Sequence, residues 1–249
     1  MFTLGKEAIY QRSNIAKWTF LAFQAGAINI IGFLAGQRFV SHVTGFASLA
    51  GIEFSNSNWS KGFGMLTVPL FFLLGAMIAG YCIDLKIKHH RQGGYETILF
   101  LIFASLMTAS IGSLMGFFGN YGDDFSMSDH YLLLVLLSGT CGLQNAMITT
   151  ASGSIIRTTH LTGIFTDLGI GLTRLLFSKP KGLEIEDRRR EKASILMRLA
   201  IIGFFTLGSL SAAILGRLYG YWAIVLPTTT SLALWILVKF EHKKMNLIN

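Results

Sequence analysis

The stretches FVSHVTGFASLAG (Phe39–Gly51) and RTTHLTGIFTDLG (Arg157–Gly169) decide the fold, because one motif occurs twice in the chain. Both contain His-x-Thr-Gly followed six residues later by a second glycine, and each comes just after a long apolar run. Self-similarity of this kind determines the architecture before any single residue does. The recurrence predicts an internal duplication.

The duplication extends well beyond this motif. GAIN (Gly26–Asn29) corresponds to GLQN (Gly142–Asn145), and FFLLGAMIAG (Phe71–Gly80) corresponds to FFTLGSLSAA (Phe204–Ala213). The matched blocks follow in the same order in both halves. Each half therefore reads as a span, a His-x-Thr-Gly segment and two further spans.

Composition predicts that these halves lie in a membrane. The chain is 52% hydrophobic and only 14% charged, whereas soluble domains carry about 25% charged residues. A spanning helix needs about 20 mostly apolar residues. Six uncharged runs are predicted to span: Trp18–Gln37, Gly62–Ile83, Thr97–Phe118, Tyr131–Ile156, Leu199–Gly216 and Tyr221–Val238.

The basic residues predict an orientation. Most of the 21 Lys and Arg lie in the two terminal tails, in the loop between the second and third spans and between Arg157 and Arg198. The positive-inside rule makes all four segments cytoplasmic. Since each half has an odd number of spans, the second half enters the membrane from the opposite side. We therefore expect an all-α polytopic membrane protein of two inverted-topology three-helix repeats.

The predicted organisation follows from these spans. It comprises a cytoplasmic tail (1–17), repeat 1 (18–118, with a re-entrant segment at 39–55), an external acidic loop (119–130), repeat 2 (131–239, with a re-entrant segment at 157–177 and a cytoplasmic linker at 178–194) and a cytoplasmic tail (240–249).

The two His-x-Thr-Gly segments are predicted to be broken or re-entrant helices. Thr44-Gly45 and Thr162-Gly163 suit helix starts, because a hydroxyl can cap unpaired amides and glycine does not block close approach. Non-helical backbone at membrane depth requires surrounding protein or a water-filled cavity. We expect the two breaks to meet near the midplane, where their positive ends favour an anionic group.

The motifs AGAINIIGF, FVSHVTG and CGLQNAMITTASGSIIRTTHLTG resemble the YoaK-like family of small bacterial membrane proteins, over roughly Lys17 to Lys239. The resemblance implies an inner-membrane protein of about six spans, regarded as a transporter without an assigned substrate. Two positions depart from the family pattern, Asn29 where relatives have Asp and Phe46 where they have Asn. Because Asn29 does not titrate, the resemblance transfers no proton-coupling role to it.

The candidate substrate-binding residues come from the repeated motifs: Asn29, His42, Thr44, Gly45, Gln144, Asn145, Arg157, His160, Thr162, Gly163 and Asp167. The asparagine pair either coordinates solute or forms interhelical hydrogen bonds. The histidine pair either contacts solute or relays protons, or it forms a cap or hydrogen bond at a helix break, which is the favoured reading.

Each charged candidate also has both a functional and a structural interpretation. Asp167 is a functional candidate at membrane depth, or it pairs with Arg157 and Arg174 at the surface. Arg157 binds an anionic solute or, as the favoured reading, an anionic lipid. No third or fourth ligand stands at zinc spacing, so neither a metal nor another cofactor is expected.

The sequence thus predicts a secondary transporter of a small solute, with an anionic group as one option, at the interface of the repeats. A passive channel is the alternative, and an intramembrane lipid-acting enzyme ranks below it because no nucleophile–base motif is found. No nucleotide-binding loop occurs, so direct drive by ATP is not expected. The chain is predicted not to be an enzyme. Expected partners are the solute and anionic lipid at the cytoplasmic face, without nucleic acid, and a homodimer stays open. The expected location is the bacterial inner membrane, with both termini cytoplasmic.

Overall fold

The chain folds into a bundle of long helices with two shorter helices at its ends. The structure, a computed structural model, describes residues 12–88, 94–153, 156, 158–177 and 185–246. Every regular element in these residues is helical: α1 (Arg12–Gly36), α2 (Val43–Ser55), α3 (Trp59–Lys88), α4 (Gly94–Leu114), α5 (Tyr131–Ala151), α6 (Leu161–Phe177), α7 (Ile185–Tyr219) and α8 (Val225–Asn246), with a 3-10 turn at Gly220–Ile224. The all-helical prediction is confirmed for this part of the chain.

Several helical segments have the length and composition to cross a membrane. They are Asn14–Gly36, Trp59–Ile83, Gly94–Leu114, Tyr131–Ala151 and Asp187–Glu241. The last has 55 residues, well over the roughly 20 that one crossing needs. It contains α7, the 3-10 turn and α8. The protein is therefore a multi-pass membrane protein, as its composition predicts.

The residues that meet between helices give the helix directions. Paired positions increase together between α1 and α7 and between α3 and α5, so each of these pairs is parallel. They run in opposite order between α1 and α5, between α1 and α8 and between α4 and α8, so these pairs are antiparallel. The parallel contacts are Gly26–Phe205 and Leu34–Gly216 for α1 with α7, and Val68–Ser138 and Phe72–Gly142 for α3 with α5. The antiparallel contacts of α1 are Leu21–Gln144 and Gly36–His130 with α5, and Lys17–Glu241 and Gln24–Ser231 with α8. Those of α4 with α8 are Phe100–Trp235 and Ser110–Thr228. The chain consequently reverses at the 3-10 turn between α7 and α8.

The closest packing joins α1 to α7 and α5 to α3. A Cβ on Gly26 would clash with the backbone of Phe205, and a Cβ on Gly142 would clash with the backbone of Phe72. These are corresponding positions in the two halves of the sequence. Small residues let helix backbones approach closely, which is the usual means of helix association in lipid. In both interfaces, the first long helix of one half packs on a helix of the other half.

The segment after α1 folds back into the bundle. The Phe39 ring stacks on Phe33 with centroids 4.4 Å apart, and Ser41 binds Asn29. Asn29 lies about 10 Å along α1 from its end, at 1.5 Å per residue. Helix α2 therefore starts below the end of α1 and returns over its 13 residues towards the start of α3. The segment at 39–55 thus contains one short helix, and its re-entrant character stays a prediction.

Helix α6 packs on α7 in the opposite direction. The Arg188 side chain reaches the carbonyl of Leu175 at 3.3 Å, while Asp167 lies 4.0 Å from Arg198. Helix α6 starts at Leu161, one residue before the helix start predicted at Thr162.

The two short helices do not meet at the midplane, which corrects that expectation. They follow α1 and α5, and because these helices are antiparallel, α2 and α6 belong to opposite ends of the bundle. Gln144, next to Asn145, contacts Leu21, and Leu21 lies about 12 Å from Asn29 along α1. The two asparagines that mark the breaks are thus separated along the membrane normal.

The polar linker is also shorter than predicted. Helix α7 begins at Ile185, so residues 185–194 of the expected linker are helical. Its charged first turns are held in place because Glu191 lies 3.8 Å from Arg174 of α6 and 3.7 Å from Arg198. Residues 178–184 lie outside the described part of the chain.

Candidate functional site

The first break is closed by its own side chains. Asn29 Oδ1 accepts hydrogen bonds from the Ser41 hydroxyl at 2.9 Å and from the Ser41 backbone N–H at 3.3 Å. Since a backbone N–H can only donate, the orientation of the Asn29 amide is fixed. Asn29 is buried, so these bonds compensate the polar atom for its loss of water.

The start of α2 forms a small cavity. It is half open, with a volume of about 100 Å³, and it is lined by Gln37, Arg38, Phe39, His42, Gly45, Phe46 and Leu49. His42 is exposed at the N-cap position and rests against Phe39 with ring centroids 5.1 Å apart. His42 and Gly45, both predicted site residues, line this cavity together with Arg38, which was not predicted.

The predicted capping role of Thr44 is wrong. His42 holds the N-cap position and Thr44 lies inside α2, where its carbonyl accepts a bond from Ser48. Among the described residues, no side chain caps the start of α2. Thr162 is likewise the second residue of α6, because that helix starts at Leu161.

The second break is less well satisfied than the first. Asn145 corresponds to Asn29, and Thr159 corresponds to Ser41. Asn145 is 7% exposed, Thr159 is 8% exposed and the neighbouring Thr158 is fully buried. Asn145 Oδ1 and both threonine hydroxyls have no hydrogen-bond partner within the described ranges. Arg157 lies outside the described residues.

The remaining candidates on α6 face outwards. His160, Thr162, Gly163 and Asp167 are all exposed. Asp167 lies 4.0 Å from Arg198, rather than next to Arg174 as expected, and Arg174 is nearer Glu191. These residues form a polar surface at one end of the bundle and are separate from the cavity at α2.

Two glutamines join α1 to helices of the other half, Gln144 from α5 and Gln24 towards α8. Gln24 and Gln144 are both fully buried. Gln144 Nε2 donates to the carbonyl of Leu21 at 2.6 Å, and Gln24 Nε2 donates to the carbonyl of Pro227 at 3.1 Å. Because a carbonyl can only accept, both amides are fixed with Oε1 turned away. Neither Oε1 has a partner in the described part of the chain.

Hydroxyl pairs continue this polar layer between the halves. Ser110 of α4 bonds Thr228 of α8 at 2.9 Å, and Ser105 of α4 bonds Thr140 of α5 at 2.8 Å. These side chains and Gln24 were not among the predicted site residues. The available signal for Gln24 was an amide in the middle of an apolar run, where an unpaired polar group costs several kcal/mol.

Comparison with known proteins gives a family and no function. A family model described as "Protein of unknown function (DUF1275)" matches residues 18–237. The YoaK-like proteins belong to it, which confirms the resemblance seen in the sequence. Neither a curated protein nor a solved structure gives a significant match.

Proposed function

The chain belongs to the DUF1275 family of proteins of unknown function, and from this premise we propose that it is a secondary transporter of a small solute. The solute site in this proposal lies at the interface of two inverted repeats. It includes Gln24, Gln144 and Asn145. The cavity beside Arg38 and His42 serves as its approach from one side.

Helix directions support two inverted repeats with six crossings. In the first half, α1, α3 and α4 alternate in direction; in the second half, α5, α7 and α8 alternate in the opposite sense. The support comes from the antiparallel contacts of α1 with α5 and of α4 with α8. Inverted repeats with broken helices are shared by many secondary transporters, although fold-level analogy alone does not establish function.

The observation that carries the proposal is the pair of unpaired glutamine oxygens between the halves. A buried acceptor without a partner destabilises a membrane protein. A solute or an ordered water that donates hydrogen bonds removes this cost, so the two oxygens offer acceptors to a solute between the halves. Arg38 next to His42 in the cavity at the start of α2 supports an anionic group on the solute.

The same model gives the location and orientation. We propose the bacterial inner membrane with both termini in the cytoplasm, because the basic residues are concentrated in the tails and in the segments that this topology makes cytoplasmic. Those basic residues also suit contacts with anionic lipid headgroups.

Transport is tested with the full chain reconstituted in proteoliposomes. Electrogenic currents and isotope counterflow are measured with a panel of small carboxylates, phosphate and neutral amino acids. Gln144→Leu is expected to lower the counterflow rate about fivefold to a hundredfold, because it removes a hydrogen-bonding amide worth about 1–3 kcal/mol. Thr229→Val is the matched control, since this exposed hydroxyl bonds only to carbonyls of its own helix.

The assay separates the proposal from its alternatives. Saturable counterflow that depends on Gln144 supports a transporter. Linear, non-saturating flux indicates the passive channel. A complete panel without flux or counterflow contradicts both.

A further inference from the structure

The two halves carry corresponding polar side chains at their breaks, but these side chains are bonded in only one half. In the first half, Asn29 Oδ1 takes both the hydroxyl and the backbone N–H of Ser41. In the second half, the corresponding oxygens of Asn145 and Thr159 have no partner among the described residues. The first half therefore shows what a purely structural version of this contact looks like.

The second break has the properties of a binding position. Asn145, Thr158 and Thr159 are each more than nine-tenths buried. Their unpaired atoms are oxygens, and buried oxygens in a membrane protein need a hydrogen-bond donor or a cation. The corresponding amide in the first half directs its oxygen at the break, where the donor is a backbone N–H.

We propose that Asn145, Thr158 and Thr159 bind a small monovalent cation of the Na⁺ type. Amide and hydroxyl oxygens are hard ligands that suit such an ion, and unwound helix segments are where transporters commonly hold Na⁺. The three side chains carry no formal charge, whereas sites for Ca²⁺ and Mg²⁺ are built with carboxylates. Asp167, the carboxylate of this motif, is exposed and lies beside Arg198.

The binding proposal rests on the burial and the unpaired oxygens of these three side chains. The role of the ion in transport rests on the proposed function. In a transporter, this ion is the coupling ion. One ion is expected per chain, because Ser41 already fills the corresponding position in the first half.

The binding test uses the purified full-length protein in detergent without any solute. Thermal unfolding is followed while NaCl replaces choline chloride at constant ionic strength. A cation that binds the folded state raises the Tm in a saturable manner. We expect Na⁺ to raise the Tm, and choline to leave it unchanged.

Three substitutions locate the site. Thr159→Val and Thr158→Val remove a hydroxyl at nearly constant shape, and each is expected to weaken the apparent Na⁺ affinity about tenfold, as loss of one ligand worth ~1.4 kcal/mol predicts. Both variants should unfold in choline at a Tm equal to or above that of the wild type, because the buried hydroxyls they remove are unpaired. Ser41→Ala is the matched control in the first half. It should lower the Tm in choline and keep the wild-type response to Na⁺.

Each outcome decides the inference. A Tm that responds equally to Na⁺, K⁺ and choline overturns it and leaves internal water as the partner of these oxygens. A saturable Na⁺ response that survives in the Thr158→Val/Thr159→Val double variant also overturns it, since the ion then binds elsewhere. If Na⁺ binds but no solute counterflow is measured, the proposed transport function is contradicted and the Na⁺ site is not. If counterflow is measured but does not depend on Na⁺, and Na⁺ does not bind, the Na⁺ site is contradicted and the transport function is not.

Discussion

At the scale of single residues, hydrogen bonding distinguishes positions that the sequence makes equivalent. Asn29 and Asn145 occupy matched sites, yet only Asn29 has its acceptor filled from within the described part of the chain. A shared motif therefore predicts where polar groups lie and leaves open whether they are structural. The neighbouring side chain decides this: a serine closes the first break and a threonine leaves the second open.

Removing the Ser41 hydroxyl is expected to destabilise the protein. Ser41→Ala removes the 2.9 Å bond to Asn29 and should lower the free energy of unfolding by about 1 kcal/mol. Chemical denaturation in mild detergent measures the change. Ser48→Ala is the control, because the exposed Ser48 hydroxyl bonds only to its own helix. Equal losses in the two variants would contradict a structural role for the Asn29 contact.

The carboxyl of Glu53 gives the protein a dependence on acid pH. Burial raises the pKa of Glu53, but hydrogen bonds from Asn58 and Lys61 and the positive charges of Lys61 and Arg38 outweigh burial, so the pKa lies below its usual value. A lowered carboxyl pKa stabilises the fold above the unfolded-state pKa, near 4.3, and this contribution is lost as the pH falls through the lower folded-state value.

Glu53→Gln tests this dependence. The variant should be less stable than the wild type at pH 7. It should also lose less stability than the wild type between about pH 5 and about pH 3, the range in which carboxyl groups ordinarily titrate. Thermal unfolding as a function of pH measures both effects. Parallel curves for the two proteins would show that Glu53 contributes nothing to acid stability.

At the scale of helices, glycine positions set which elements can touch. Gly26 and Gly142 let α1 approach α7 and let α5 approach α3, whereas a Cβ on Gly80 of α3 meets no described atom within 4 Å. All three glycines look alike in an apolar run. Their difference depends on the partner helix, which the local sequence does not specify.

Gly26→Ala and Gly142→Ala are expected to separate these helix pairs. Each added methyl group meets backbone rather than a movable side chain, so each variant should lose about 1–3 kcal/mol. Gly80→Ala is the control, and it should keep or slightly raise stability because alanine favours helix. The fraction of folded protein in detergent, measured by size-exclusion chromatography, and the Tm of thermal unfolding both report the effect. Normal stability of Gly142→Ala would contradict the observed packing of α5 on α3.

Sequence periodicity predicts the helices better than it predicts the sites. Long uncharged runs mark the spans because lipid tolerates few charges, and the His-x-Thr-Gly repeat marks both short helices. The charged start of α7 was missed because ion pairs of Glu191 with Arg174 and Arg198 stabilise it, and these depend on α6 lying alongside. Gln24 was missed because its role appears only where α1 meets α8 of the other half.

At the scale of the whole molecule, the directions of the helices make a topological prediction. The turn at Ser57, between α2 and α3, and the start of α7 near Asp187 belong to opposite ends of the bundle. In the proposed orientation, Ser57 faces the periplasm and Asp187 faces the cytoplasm.

Thiol labelling tests this arrangement. In a background with Cys82→Ser and Cys141→Ala, a membrane-impermeant maleimide added to intact spheroplasts should label Ser57→Cys. It should label Asp187→Cys only after permeabilisation. Labelling of both positions from the same side would contradict the inverted arrangement of the halves.

The exchange of partners between α1 and α7 and between α5 and α3 has a consequence for biogenesis. When α1 leaves the ribosome, the helix it packs against has not yet been synthesised. Until then, the glycine surface of α1 and Gln24 lie in the bilayer without their partner helices. A half-length ancestor could have covered that face only by pairing with a copy of itself inserted upside down. Fusion of two such genes would fix the opposed orientations within one polypeptide, so that neither orientation depends any longer on chance at insertion.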